Sequence, residues 1–200
     1  MVRRRWCPVG FFVVAVAVWS GVALASPKPL PLRARLLQRG EFPGFTLEAA
    51  RSFTAEGWIA SDSTLSPGQV KAQVARLKRE GFKGLVSEYL DDAQGPQNGL
   101  SWVMQLGSAA SARSELAANL SYEKTSGNAP ATFHIRAIPG AVGFGGPSSG
   151  GGGENIIFAD GPFLYLLGNA WSGSQHNAKH TTLIQAATKL YHRVHGHPAL

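Results

Sequence analysis

The chain has 200 residues, 44% of them apolar, with 19 Lys plus Arg against 12 Asp plus Glu and a single cysteine. That length fits one domain, the apolar share excludes a disordered chain, and one cysteine excludes a disulfide scaffold or a thiolate metal module. The formal charge of +7 is misleading as a sign of nucleic-acid binding, because residues 41–200 carry 12 positive and 12 negative side chains. Nucleic-acid affinity is drawn from clustered Lys and Arg neutralising phosphates, and no such excess exists there, so no nucleic-acid partner is expected.

The excess sits at the front. Arg3, Arg4 and Arg5 precede an apolar run that ends at Ala23-Leu24-Ala25, the small-x-small pattern that signal peptidase accepts. Residues 1–25 therefore read as a signal peptide, and the protein as extracytoplasmic, secreted or associated with the cell envelope. The alternative is a single N-terminal membrane anchor, for which the apolar run is short. Cys7 lies before that run, where no lipoprotein acceptor would be. Cleavage would leave a chain without cysteine, closed to disulfide and thiol chemistry. Residues 26–40 read as a basic, Pro-rich linker in which Lys28, Arg33, Arg35 and Arg39 offer a weak electrostatic contact to an anionic envelope surface. A single α+β domain is expected over residues 41–200.

Within it, at least one further strand or helix fits between residues 45 and 59. Ser66-Pro67-Gly68-Gln69 is a helix start, with a capping serine, proline at the first helical position and glutamine closing a capping box. Val70, Val74 and Leu77 make the apolar stripe, and Gly81 ends the helix. Residues 82–90 follow as a strand, closed by Asp91-Asp92 and a turn-rich stretch to Gly99. Trp102, Met104 and Leu106 then alternate with polar or smaller residues in a second strand. A helix from Gly107-Ser108 to about residue 123 carries Ala109, Ala112, Leu116 and Leu120 at helical spacing. Phe133, Ile135 and Ala137 alternate in the next strand, with His134 and Arg136 on its other face. Asp160-Gly161-Pro162 joins two apolar runs as a hairpin, and residues 163–167, apolar on both alternating sets, belong at the centre of a sheet. Leu183, Ile184, Ala187, Leu190, Tyr191 and Val194 form the stripe of a final helix. From residue 66 the order is αββαβββα: an antiparallel sheet of about five or six strands flanked by helices.

Chemistry is sparse. Gly146-Pro147-Ser148-Ser149-Gly150 matches the nucleophile-elbow pattern, but a strand rather than a helix follows it, and residues 140–153 hold eight glycines, which read as a flexible hairpin connection. Five of six histidines lie in the last 25 residues. With a helix starting after Asn177, His176 falls outside it, and His192 and His195 lie about 18 Å from His180 at 1.5 Å per residue, so no convergent metal set is expected. Asp91, Asp92 and Glu88 form no catalytic carboxylate pair. No catalytic residue, metal ligand or cofactor is thus assigned. Trp58, Trp102, Trp171, Phe144, Phe163 and Tyr165 are candidates to line an apolar pocket. Core packing accounts for Trp102, Phe163 and Tyr165, whereas Phe144 and Trp171, placed in Gly- and Ser-rich connections, are the candidate binding residues.

Gly81-Phe82, residues 99–107 with Trp102, Ile138-Pro139-Gly140-Ala141 and Phe158-Ala159-Asp160-Gly161 resemble a group of uncharacterised secreted proteins of high-GC bacteria. These are distantly similar to lipoprotein and sensor-type domains with a PsbP-like α/β/α sandwich. The resemblance covers residues 41–196 and implies an antiparallel sheet between helices and a non-catalytic extracytoplasmic role. It carries over no catalytic residues. The missing lipidation cysteine departs from the lipoprotein pattern.

The function expected from the sequence is a secreted or surface-associated, non-catalytic binding or accessory domain for a small hydrophobic ligand or a cell-envelope component. The alternatives are a small extracytoplasmic serine hydrolase using Ser148 and a metal binder using His176 and His180.

Overall fold

The computed structural model describes residues 28–126 and 131–197. The expected signal peptide, with Cys7, lies outside the described residues. Among them are eight strands and four α-helices, in the order β1 (Phe45–Leu47), β2 (Arg51–Phe53), α1 (Ala55–Ala60), α2 (Pro67–Arg79), β3 (Gly84–Asp92), β4 (Gly95–Gln105), α3 (Ala109–Ser126), β5 (Thr132–His134), β6 (Val142–Ser148), β7 (Gly151–Asp160), β8 (Phe163–Ser172) and α4 (His176–Val194). All the strand pairs are antiparallel, in one sheet of order β1-β3-β4-β8-β7-β6-β5, with β2 also paired to β3. Helices cover both faces. The α+β sandwich read from the sequence is the fold, with two or three more strands than expected.

Local chemistry explains the elements that were legible. The Ser66 hydroxyl accepts from the Gln69 amide while the Gln69 side chain accepts from the Ser66 amide at 2.8 Å, completing the capping box of α2. After α2 the chain turns at Gly81, whose φ of 72° favours glycine and whose missing Cβ lets the Gly107 backbone approach: a Cβ there would stand 2.9 Å from the Gly107 Cα. The turn at Gly161-Pro162 joins β7 to β8, and β8 is the central strand, buried from Phe163 to Gly168 and apolar on both faces.

Two expectations need correction. Residues 140–153 are not a loose connection: they contain β6 and the start of β7, paired in register from Val142 with Ile157 to Ser148 with Gly151. Glycine serves here as a floor for rings. A Cβ on Gly143 would lie 2.1 Å from the Phe133 ring, and one on Gly152 would lie 2.5 Å from the Trp171 ring. The packed unit also begins before residue 41. Leu32–Arg35 form a 3₁₀ turn, and Arg35, Leu36 and Leu37 are buried against the sheet. Arg35, expected as an exposed envelope contact, donates to the Tyr165 hydroxyl at 3.0 Å and to the His197 carbonyl at 2.6 Å, and its guanidinium lies 3.6 Å from the centroid of the Phe163 ring. Only the positive charges of Lys28, Arg33 and Arg39 remain exposed in this segment. Arg193 of α4 fastens the same segment, donating to Glu41 and to the carbonyls of Ala34 and Leu36.

The sheet separates two cores. On the α4 side, Val86, Leu90, Val103, Phe158, Tyr165 and Leu167 pack against Leu183, Ala187, Leu190 and Val194. On the other side, Leu85, Trp102, Met104, Ile157, Leu164 and Leu166 pack beneath α1, α2 and α3.

Candidate functional site

The face beneath α1, α2 and α3 is incompletely filled. Trp102 and Met104 alternate on β4, Leu166 points the same way from β8, and Phe144 and Asn155 are register partners on β6 and β7, so their side chains share one floor. Trp58 and Ile59 of α1 form one wall, and Gln73, Arg76 and Leu77 of α2 with Glu115, Ala118 and Asn119 of α3 form the others. They enclose a cavity of about 520 Å³, within the range of small-molecule sites. Trp58 stands edge-on to Trp102 with ring centroids 5.9 Å apart, and Phe53 is edge-on to Trp58 at 5.6 Å, which fixes the aromatic wall.

Arg76 and Glu115, on facing walls of this cavity, are already paired with each other. Arg76 reaches across from α2 to the Glu115 carboxylate, one of its contacts being Nη2 to Oε1 at 3.1 Å. Asn119 Nδ2 donates to the same Oε1 at 2.9 Å. Burial pushes the Glu115 carboxyl above its ordinary range, against the opposing pull of Arg76 and Asn119. This ion pair largely cancels its own charge, so the charge that the lining carries comes from the acids Asp62 and Glu123.

A second hollow of about 280 Å³ shares Leu100 and Asn155 with the first and extends toward Tyr89. Among the described residues, the large hydrophobic side chains left exposed are Tyr89, at 36%, and Tyr122, at 44%. Tyr122 lines the larger cavity and Tyr89 the smaller one. Both of these exposed rings thus stand at the mouths of hollows on this face.

The six aromatics named from the sequence divide between the faces. Trp58, Trp102 and Phe144 line the cavity, whereas Phe163, Tyr165 and Trp171 are turned toward α4. Phe144 and Trp171 are buried in strands rather than carried on loops, because the glycine-rich segments around them pair into the sheet. Asn155 and the Arg76–Glu115 pair escaped sequence reading. Asn155 follows a glycine run with no visible alternation, and nothing in the spacing of α2 and α3 shows that they meet.

Ser148 is exposed at the end of β6, next to the two-residue turn into β7. Among the described residues no hydrogen bond joins it to a histidine or an acid. Strand, turn and strand is not the strained strand-to-helix elbow that presents a nucleophile.

The histidines do not fall as their spacing suggested. Helix α4 begins at His176, not after Asn177, so His176 and His180 stand four residues apart on one helical face. Both turn to Glu154 of β7: His176 Nε2 donates to Oε1 at 2.9 Å and His180 Nδ1 to Oε2 at 2.8 Å. His192 is exposed, and His195 stacks on Tyr191 and contacts Asp160 at 2.9 Å.

Glu88 is the remaining buried acid. Burial pushes its carboxyl up to about 7, opposed by the Leu37 amide, Arg193 and Ser101, and its Oε1 has no hydrogen-bond partner. It lies on the α4 face, away from the cavity, in register with Ser101.

Fold and cavity together define an antiparallel α+β sandwich with an aromatic-walled hollow under three helices. No family model and no curated protein matches the chain. Among solved structures it is similar to the extracellular domain of PknH from Mycobacterium tuberculosis, at 11% sequence identity and a TM-score of 0.49, over 80% of this chain and 95% of that one. Among the described residues no helix is long and apolar enough to cross a membrane.

Proposed function

We propose that the protein is an extracytoplasmic, non-catalytic binding domain whose ligand is a small, uncharged, amphipathic molecule held in the cavity between the sheet and α1, α2 and α3. The observation that carries this reading is the cavity itself, about 520 Å³ with Trp58, Trp102 and Phe144 as apolar walls. An apolar body fits against those rings, and Asn119 and Asn155 supply hydrogen-bonding groups for a polar end. The internal pairing of Arg76 with Glu115, and the acids Asp62 and Glu123 in the same lining, argue against an anionic ligand, which would have to compete for Arg76 and face like charge. Export rests on the signal-like residues 1–25 and on a remaining sequence without cysteine. The resemblance to PsbP-like lipoprotein and sensor-type domains is in keeping with this role.

The test uses a neutral fluorescent apolar probe, N-phenyl-1-naphthylamine, with energy transfer from tryptophan as the readout. Saturable binding in the micromolar range is expected. Ala118→Trp, which fills the cavity from a half-exposed position on α3, should weaken binding at least tenfold while the melting temperature stays close to that of the parent. Equal probe affinity in the two proteins would place the contact elsewhere and overturn the proposal.

A further inference from the structure

Glu154 is 3% exposed, on the face that α4 covers, beneath the first turn of that helix. A buried carboxylate requires partners, and its partners here are the ring nitrogens of His176 and His180. The three ligand atoms lie within 4.8 Å of one another. Tetrahedral ligands bound at about 2.0–2.1 Å stand roughly 3.3 Å apart, so small side-chain rotations would gather this set around one ion. Two imidazoles and one carboxylate, with a further position left open, form a donor set suited to a divalent transition metal such as zinc.

The surroundings favour a preformed site. The His180 ring packs against Phe133 at 4.7 Å between centroids and the His176 ring against Trp171 at 5.4 Å, which restricts both imidazoles. The His176 and His180 side chains are 35% and 32% exposed, so an ion can enter from solvent while Glu154 holds it from below. Two buried polar atoms nearby lack partners. Asn169, the register partner of Glu154 on β8, donates to the Lys179 carbonyl but leaves Oδ1 unsatisfied, and Trp171 Nε1 is likewise unsatisfied. Asn169 Oδ1 thus offers a free acceptor on the face that carries the cluster, the kind of outer group that orients a metal-bound water.

We propose that Glu154, His176 and His180 bind one divalent transition-metal ion, zinc in the first instance, clamping the first turn of α4 to β7 and leaving one coordination position for water or an outside ligand. This site lies on the opposite face of the sheet from the proposed ligand cavity and stands independently of it.

The full chain, stripped of metal, is titrated separately with zinc, nickel and copper by calorimetry, and with cobalt(II) followed by visible absorption. One ion per chain at micromolar or tighter affinity is expected, with a cobalt spectrum showing imidazole ligation. His176→Ala and His180→Ala should each weaken binding at least tenfold, and Glu154→Gln should do the same. Because both histidines are partly exposed, their variants should keep the parental circular dichroism spectrum, which guards against loss of fold in Glu154→Gln. The double variant His192→Ala with His197→Ala should bind as the parent does. No heat at micromolar concentrations, or binding lost with the tail pair and retained in the His176 and His180 variants, would overturn the assignment.

Discussion

On one face of the sheet, Leu183, Ala186, Ala187, Leu190, Tyr191 and Val194 of α4 are all buried; on the other, only Ala112 and Glu115 are buried among the described residues of α3. The first helix lays a continuous apolar stripe on the sheet, and the 3₁₀ segment closes its flank through Arg35 and Arg193. The second presents small residues and a charge, is joined to α2 by an ion pair, and stands over a hollow. A single sheet can thus have one face built for stability and another that gives up packing for space. The cost of that choice is bearable because the closed face carries the larger core.

Truncation should expose the contrast most sharply. Leu190→Ala, in the closed core, is expected to destabilise the protein by about 3 kcal/mol in denaturant unfolding, since it leaves a void that rigid neighbours cannot fill. Leu100→Ala, half-buried beside the cavity, should cost only about 1 kcal/mol, because little packing exists there to lose. Equal losses would mean that the two faces are packed alike.

The next effect concerns charge on the closed face. Glu88 has a folded-state carboxyl raised to about 7, so the stability linked to its neutral form is fully present below the ordinary carboxylate range and is lost as pH rises through 7. Glu88→Gln should therefore raise stability by about 1–2 kcal/mol at pH 8.5, after allowance for solvent screening, and change little at pH 4. A stabilisation that does not vary with pH would show that ionisation of Glu88 is not what burdens this face.

The smallest effect should come from the hairpin rim between the faces. Ser148→Ala is expected to shift stability by less than about 0.5 kcal/mol, as an exposed position without partners should. It should also leave ester hydrolysis at the level of the parent. Hydrolysis lost with the serine would replace a binding role by a catalytic one.

Much of the fold was legible where side chains carry a period. The capping box of α2, the stripe of α4 and the doubly apolar β8 each announced themselves, because each of these segments meets its surroundings through a regular set of apolar or capping groups. Strand β6 did not, since Gly143, Gly145 and Gly146 have no side chain with which to display alternation, and their pairing partners in β7 are themselves mostly glycine or polar. The candidate site followed the same division. Trp58, Trp102 and Phe144 were visible as aromatics, but whether they faced one another was not, and Trp171, grouped with Phe144, proved to lie on the opposite face.

Sequence by itself determined the balance of charge after residue 40, the single cysteine, the helix and strand segments with strong periods, and hence the sandwich class. Only the tertiary structure decided that a cavity stays open beneath α1, α2 and α3, that Arg35 belongs inside, and that Glu154 meets His176 and His180. The reason is one of range. Caps, turns and periodicity act between residues a few positions apart, whereas a cavity, a buried arginine or a three-ligand cluster depends on which distant segments share a face of the sheet.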